Sequence, residues 1–245
     1  MHSKTEWWST FFSGIVLDGL DLYPEEMTRS DIDFLVKSFG EGPARILDVP
    51  CGNGRIALEL AARGYGISGV DQTQESIDRA RARARERGLE ASFERRDMRD
   101  LPWRAEFDGA ICFGNSFGYL DDEGNFDFLK AVAPTLKPGG KFILEAPLVA
   151  ETVHNVNPNS WHQAGDLLML RQARILPEEG RVETDYTFMK GGRTEKKTAR
   201  YRVYTYRQLL ELLRGAGFGR VEGLGSPAGE PFAWGSKALY FVATP

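Results

Sequence analysis

The sequence predicts an α/β fold with a mostly parallel seven-stranded sheet flanked by helices. Two observations support this prediction. Short apolar segments alternate with helical segments across residues 44–147, an order typical of parallel strands joined by right-handed crossovers. A period-two pattern with turn signals follows within residues 148–204 and predicts an antiparallel insert before the last helix.

The composition is typical of a globular protein, and the length suits one α/β domain with additions or two small domains. The chain has 245 residues, of which 42% are hydrophobic and 27% charged, and its formal net charge is −4. These values argue against a disordered chain and against a general nucleic-acid binder. The two cysteines, Cys51 and Cys112, have no metal-ligand spacing, so we expect neither a metal site nor a disulfide framework.

We expect a cytoplasmic protein that is a monomer or a homodimer, with neither a membrane nor a nucleic acid as partner. No apolar run approaches the ~20 residues that a membrane helix needs. The first fourteen residues, "MHSKTEWWSTFFSG", lack the long apolar region of a signal peptide.

The first region, residues 1–43, is predicted to be an N-terminal helical cap. In "TRSDIDFLVKSFG", apolar side chains fall at the spacing i, i+3, i+4 and i+7 of one helix face: Ile32, Leu35, Val36 and Phe39. Ser30 or Asp31 is the predicted N-cap, and Gly40 is the predicted stop.

The core, residues 44–147, carries five predicted strands: "ARILDV", "GISGVD", "EASFERRD", "FDGAICFG" and "KFILEAP". The last region, residues 205–245, adds the helix "YRQLLELLRGAGF" and the strands "GRVEGL" and "KALYFVA". We interpret the cap, the core, the insert and this last region as one domain, with the insert of residues 148–204 as a cover over an acceptor site. The core helix "QESIDRARARARERG" places Arg79, Arg83 and Arg87 on one face, which we expect to be solvated.

A glycine-rich turn follows the first predicted strand in "ILDVPCGNGR". The strand ends at Asp48, and Gly52 and Gly54 allow close backbone approach to a ligand. In open parallel sheets, ligands bind beyond the carboxyl ends of the strands. Two ligands suit this turn: a dinucleotide, for which Asp71 stands near the expected ribose acid, and S-adenosylmethionine.

Asp48 favours S-adenosylmethionine. A carboxylate repels a pyrophosphate a few ångströms away, whereas it attracts the ammonium and sulfonium of S-adenosylmethionine. A dehydrogenase also needs a hydride-transfer site. Tyr186 and Lys190 have the i, i+4 spacing that some dehydrogenases use on a helix, but "VETDYTFMK" reads as a strand, in which these residues lie roughly 13 Å apart.

The chain resembles the class I S-adenosylmethionine-dependent methyltransferases, which have a Rossmann-like fold. The resemblance spans roughly residues 44–147. Its motifs stand in the family's order: "LDVPCGNGR", "GVDQT", "FERRDMRDLP", "ICFGNSFGYL" and "LKPGGKFILEAP". Pro50 stands where the family usually has glycine.

The resemblance implies which residues bind the cofactor. Asp48 would bind the methionine ammonium. Backbone groups would line the rest of the methionine end, at Pro50, Cys51, Gly52, Gly54, Phe113 and Gly114. Asp71 would accept both ribose hydroxyls, with Gln72 beside the adenine. Asp97 would accept a hydrogen bond from the adenine amino group, and the Met98 N–H would donate one to a ring nitrogen.

Candidates near the transferred methyl are less specific. The loop "FGNSFGYLDD" is a candidate pocket wall or an ordinary loop, and its Tyr119 is a candidate catalytic residue. Tyr23, in an aromatic-rich leader, either contacts the sulfonium through a cation–π interaction or simply packs on the core. His154 and His162 are candidate proton acceptors or surface histidines.

The sequence thus favours a methyltransferase that modifies a nitrogen or oxygen of a small molecule. A methyltransferase acting on protein or RNA remains an alternative. The chain lacks the Asn/Asp-Pro-Pro-Tyr run of enzymes that methylate exocyclic base amines, which disfavours that subgroup. The sequence is also compatible with a cofactor-binding module without turnover and, less well, with a nicotinamide oxidoreductase.

Overall fold

The computed structural model describes residues 6–245. In this part of the chain the helices are α1 Trp8–Phe11, α2 Ile15–Asp21, α3 Glu25–Phe39, α4 Arg55–Ala61, α5 Gln74–Glu86, α6 Asp122–Val132 and α7 Tyr206–Gly215. The strands of the first sheet are β1 Arg45–Asp48, β2 Gly66–Asp71, β3 Ala91–Arg95, β4 Phe107–Cys112, β5 Leu136–Ala146, β10 Arg220–Leu224 and β11 Leu239–Thr244. Those of the second are β6 Asn159–Ala164, β7 Leu167–Leu176, β8 Arg181–Lys190 and β9 Arg193–Arg202.

The first sheet confirms the predicted seven-stranded, mostly parallel architecture. Its strand order is β10-β11-β5-β4-β1-β2-β3, and only β10–β11 and β11–β5 pair antiparallel. Ile46 and Leu47 of the central strand β1 are fully buried, because helices cover both faces of the sheet. The chain leaves β1 toward β2 on one side and later returns to β4 on the other, which opens a crevice at the carboxyl ends of these strands.

The second sheet is the predicted antiparallel insert, with strand order β6-β7-β8-β9. One of its faces packs on the N-terminal helices, where Phe11, Ile15 and Val16 meet Leu167 and Phe188. The insert therefore supports the cap directly.

Helix α3 begins earlier than the sequence predicted. Pro24 is its N-cap, and Glu25 and Glu26 occupy the first turn, where acidic side chains favour the positive end of the helix dipole. The predicted caps Ser30 and Asp31 were therefore wrong, since both lie inside the helix. The predicted stop is confirmed: Gly40 ends α3 at φ +84°.

The arginine face of α5 is not solvated as predicted. Arg79 forms ion pairs with Asp18 at 3.0 Å and Asp21 at 2.8 Å, and Arg83 contacts Asp21 at 2.5 Å. Because both acids belong to α2, this face of α5 anchors the cap to the core.

No helix within residues 6–245 has the length and apolar character needed to cross a membrane.

Candidate active site

Two adjoining cavities open at the carboxyl ends of β1, β2 and β4. The larger has about 740 Å³ of empty space and the smaller about 430 Å³. Four residues border both: Phe12, Pro50, Asp71 and Tyr119. All but one of the residues predicted to bind the cofactor line these cavities. The larger cavity has Tyr23, Asp48, Pro50, Cys51, Gly52, Asp71, Phe113 and Gly114, and the smaller adds Gln72, Asp97 and Met98.

The exception is Gly54, which does not line either cavity. Its backbone lies in the left-handed region at φ +84°, and a Cβ at this position would stand 3.1 Å from the Cβ of Ala80. Gly54 is therefore required by the turn and by the close packing of α5, not by direct exposure to a ligand.

The glycine turn is hydrogen-bonded to the neighbouring strand. Cys51 N–H donates to the carbonyl of Val70 at 2.8 Å, and Gly52 N–H donates to Asp71 Oδ2 at 3.1 Å. Asp71 Oδ1 accepts a second bond, from Thr73 N–H at 2.7 Å. The end of β2 thus fixes both the turn and its own carboxylate at the cavity wall.

Asp48 is a buried acid at the tip of β1, with 3% of its surface exposed. Burial raises the pKa of Asp48 to about 8, although the positive charge of Arg55 opposes that rise. A buried carboxylate of this kind becomes ionised when a cation binds beside it. The arrangement suits a ligand that brings an ammonium or a sulfonium.

Arg55, at the first position of α4, is a site residue that sequence reasoning missed. Its Nη1 donates to Asp31 Oδ2 at 2.9 Å and to Thr28 Oγ1 at 3.0 Å, and its Cζ lies 4.1 Å from the centre of the Tyr23 ring. The available signal was a cation directly after the second glycine of the turn.

Glu145, near the end of β5, was also missed. Its Oε2 accepts a hydrogen bond from Gly114 N–H at 2.7 Å and another from Asn115 N–H at 3.4 Å. Gly114 and Asn115 have positive φ angles of 74° and 57°, so this carboxylate holds an unusual turn beside the cavity. Burial raises the pKa of Glu145. The sequence signal available for Glu145 was the acid in "FILEAP" near the end of the strand.

Comparison with known proteins identifies the core. The family model described as "Methyltransferase domain" matches residues 46–140. This match covers most of the predicted core, residues 44–147, so the core is similar to a methyltransferase domain. Glycine N-methyltransferase of Rattus norvegicus is 29% identical over 118 residues, which cover 42% of this chain and 40% of that protein. The match thus spans about two fifths of the relative's length.

Solved structures share the fold of this protein over almost the whole chain. The CcbJ methyltransferase of Streptomyces caelestis superposes with a TM-score of 0.80 at 19% identity, covering 96% of this chain and 98% of that one. S-adenosylmethionine-bound CalS10 of Micromonospora echinaspora, an amino pentose methyltransferase, gives a TM-score of 0.69 at 17% identity over 96% and 99% of the two chains.

The smaller cavity contains the residues predicted to surround the adenine. Asp97 lies there, with Oδ2 2.6 Å from Arg99 Nη2 and Oδ1 accepting the Arg99 N–H at 2.8 Å. Trp8 and Leu120 contribute apolar walls. This combination of flat apolar surface and a polar rim fits a nucleobase.

Tyr119 borders both cavities. Its ring packs against Trp7 at 4.9 Å, Phe12 at 5.8 Å and Tyr201 at 5.7 Å between centroids. Burial raises the pKa of Tyr119 well above that of a free tyrosine, so the phenol stays protonated at neutral pH. Tyr119 is suited to shaping the wall, not to accepting a proton.

The two predicted histidines lie outside the two cavities. His154 is exposed and stacks on Trp234 with ring centroids 5.7 Å apart. His162 is exposed on β6 and pairs with Met169. Neither lines the larger or the smaller cavity.

Proposed function

We propose that this protein transfers a methyl group from S-adenosylmethionine to a nitrogen or oxygen atom of a small-molecule acceptor. The observation that carries the proposal is the pair of acids at the tips of adjacent strands, of which Asp48 is buried and Asp71 partly buried. Asp48 and Asp71 both line the larger cavity, and no phosphate-compatible cluster of cations faces them among the described residues. Such a wall favours a cationic nucleoside over a phosphorylated one.

The chemistry of the residues that line the cavities suits the cofactor. Asp48 would hold the ammonium, and Asp71, already fixed by Gly52 and Thr73, would accept the ribose hydroxyls. Asp97 and Met98 would meet the adenine edge in the smaller cavity. When bound, the cofactor supplies a methyl group activated by the positive charge of its sulfonium.

The chain's own contribution is alignment and exclusion of water. Phe12, Tyr23 and Tyr119 form apolar walls beside the acids. In-line displacement at carbon depends on such placement more than on acid–base groups. An amine acceptor would therefore have to arrive neutral or lose its proton to solvent, since the histidines lie outside the cavities.

An acceptor route is available beside Tyr119. A third cavity of about 1280 Å³ adjoins the smaller one through Trp8, Tyr119 and Leu120, and it reaches Arg181 and Arg200 of the insert. We assign the acceptor to this side. Residues of the cap and of the insert line this cavity, which favours a small molecule over a folded macromolecule. The name of the rat relative, glycine N-methyltransferase, supports a small amine.

A transfer assay tests the proposal. Radiolabelled S-adenosylmethionine is offered with panels of small amines, small hydroxyl compounds, peptides and RNA. We expect label in a small molecule, and loss of transfer in Asp71→Ala but not in Asp78→Asn, an exposed acid of α5. Transfer only to peptide or RNA, binding without any transfer, or calorimetric binding of NAD in place of S-adenosylmethionine would each contradict the proposal.

A further inference from the structure

One face of the insert packs on the cap, and this inner face carries a guanidinium. Leu167 and Phe188 of the inner face are buried against the cap. Arg171 follows Leu167 by four residues in β7, so it lies on the same face, because side chains alternate along a strand. Tyr186 stands directly opposite Arg171 on β8.

The guanidinium of Arg171 lacks the partners that a buried cation needs. Its Nε atom is buried and has no hydrogen-bond partner, although the residue as a whole is partly exposed, and none of the ion pairs within residues 6–245 involves it. Arg174, on the opposite face of the same strand, pairs with Glu183 and with Asp185 at 3.0 Å. Removing a charge from water without a partner is costly. Arg171 is therefore suited to a ligand that brings a negative charge.

Other hydrogen-bonding groups around this face are also unsatisfied. Four buried side-chain N or O atoms of the described residues have no partner, and besides Arg171 Nε they include Thr184 Oγ1 and Trp7 Nε1. Thr184 is fully buried and lies on the inner face, two residues before Tyr186. The Trp7 ring packs on Tyr201 with centroids 5.4 Å apart. Three of the four unsatisfied atoms thus lie where the insert faces the cap.

Two tyrosines connect Arg171 with the wall of the cavities. Burial raises the pKa of Tyr201 and the positive charge of Arg171 opposes that rise, so the two groups are near each other. Tyr201 Oη lies 3.5 Å from Tyr186 Oη, and the Tyr201 ring packs on the ring of Tyr119 at 5.7 Å between centroids. Tyr119 borders all three cavities, whereas Arg171 lines none of them. Arg171 therefore lies behind the Tyr119 wall, away from the position of the transferred methyl.

We propose that Arg171 binds an anionic group, a carboxylate or a phosphate, at the far end of an extended acceptor. A guanidinium binds either anion through paired hydrogen bonds. The hydroxyl groups of Tyr186 and Thr184 add donors on the same face. This inference rests on the proposed function and adds the chemical class of the acceptor, which carries the accepting nitrogen or oxygen at one end and the negative charge at the other.

Anion binding can be measured before the acceptor is known. Thermal unfolding of the S-adenosylhomocysteine complex is followed in acetate or inorganic phosphate, against chloride at equal ionic strength. Either anion, well above its dissociation constant, should raise the unfolding temperature of wild type by about 2–4 °C more than that of Arg171→Met. Loss of a cation without a partner should leave Arg171→Met folded. Arg171→Lys should keep part of the rise, and the control Arg174→Met should keep all of it.

The larger of the two rises identifies a carboxylate or a phosphate as the preferred group. An equal rise in wild type and Arg171→Met, or no rise in wild type with either anion, would overturn the inference. Absence of S-adenosylhomocysteine binding by wild type contradicts instead the proposed function.

A transfer assay tests the position of the charge. ω-Amino acids from glycine to aminooctanoate and ω-aminoalkyl phosphates are offered, each beside its uncharged amide or alcohol. Wild type should prefer the charged member of the longer pairs by about tenfold or more in kcat/KM, mainly through KM. Arg171→Met should lose this preference while its affinity for S-adenosylhomocysteine stays as in wild type. An unchanged preference in Arg171→Met, or methylation of uncharged acceptors alone, would overturn the inference.

Discussion

Asp71 ties the glycine turn to the second strand: its Oδ2 accepts the Gly52 N–H at 3.1 Å while its Oδ1 accepts the Thr73 N–H at 2.7 Å. One side chain thus shapes the backbone that lines the cavity and presents the proposed ribose acceptor. Burial raises the pKa of Asp71, and the two N–H bonds oppose that rise. Stability and ligand binding are therefore coupled at this residue.

Replacement of Asp71 should lower both the stability of the fold and the affinity for the ligand. Asp71→Ala removes the acceptor of two backbone N–H groups, each of which is then left unpaired at a cost of about 1–3 kcal/mol. We expect a lower free energy of unfolding in urea and at least a tenfold weaker affinity for S-adenosylhomocysteine. Asp78→Asn, on the exposed side of α5, should change neither. Unchanged binding in Asp71→Ala would remove Asp71 from the cofactor site.

A proton should leave the protein when the cofactor binds. Burial raises the pKa of Asp48 to about 8, so at pH 6.5 this carboxyl is mostly protonated in the free protein. The cofactor ammonium stabilises the ionised form, and binding then releases close to one proton. Calorimetry in buffers of different ionisation enthalpy measures this number. Asp48→Asn should release none, and equal release by both proteins would exclude Asp48 as the source.

The same group predicts how stability without ligand depends on pH. The folded pKa of Asp48 lies above its unfolded value, so its contribution is fully present below about pH 4 and is lost as pH rises through 8. Each pH unit in that window lowers the free energy of unfolding by up to ~1.4 kcal/mol. The stability of Asp48→Asn should not show this loss with rising pH. Urea unfolding of both proteins at pH 5 and pH 8 gives the difference.

The sequence predicted the sheet and most of the cavity wall because their signals are local. Strand and helix periods can be read over a few residues, and Asp48 and Asp71 are the last residues of their strands. Gly54 was assigned to the cavity because spacing alone does not separate a glycine that faces a ligand from one that packs against a helix.

The contacts that the sequence did not predict connect distant segments. Arg79 looked solvated because its partners, Asp18 and Asp21, lie about sixty residues earlier. Arg55 meets Asp31 across 24 residues and a change of element. Charged pairs of this kind leave no periodic trace, so only the tertiary structure reveals them.

The ion pairs of α2 should keep the cap packed on the core. Asp21 contacts Arg79, Arg83 and Asn53, and the neighbouring Leu20 lines the larger cavity. Because these side chains are only a quarter to a third exposed, salt screens them less than surface pairs. Asp21→Asn should weaken S-adenosylhomocysteine binding by roughly 5- to 30-fold. Limited proteolysis should also cut the N-terminal segment faster.

A surface pair provides the control for the cap. Arg207 and Glu211 on α7 form an ion pair whose side chains are 85% and 58% exposed. Neither residue lines the three cavities described above. Glu211→Gln, which removes one negative charge as Asp21→Asn does, should leave affinity and proteolysis unchanged. If it matches Asp21→Asn, net charge and not the cap contact explains the loss.

The histidines should be dispensable for transfer. His154→Asn and His162→Asn alter exposed side chains outside both cavities, so kcat and its pH profile should stay as in wild type. Tyr119→Ala removes a ring that borders both cavities, and we expect at least a tenfold loss in kcat/KM because alignment depends on that wall. A shifted pH profile in either histidine variant would assign that histidine a proton-transfer role.

The two glycines of the turn should respond differently to alanine. Both have positive φ, 52° for Gly52 and 84° for Gly54, so each substitution carries a strain of roughly 1–2 kcal/mol. At Gly54 the new methyl also meets the Ala80 Cβ at 3.1 Å and the Leu58 Cγ at 3.3 Å, whereas at Gly52 it meets no atom within 4 Å. Gly54→Ala should thus lose about 1–3 kcal/mol more stability, the range of an overpacked core. Gly52→Ala should unfold at a higher temperature than Gly54→Ala. It should nevertheless bind S-adenosylhomocysteine more weakly than wild type, because its methyl group enters the cavity. Thermal unfolding and calorimetry on both variants separate these effects, and equal unfolding temperatures would contradict the packing role of Gly54.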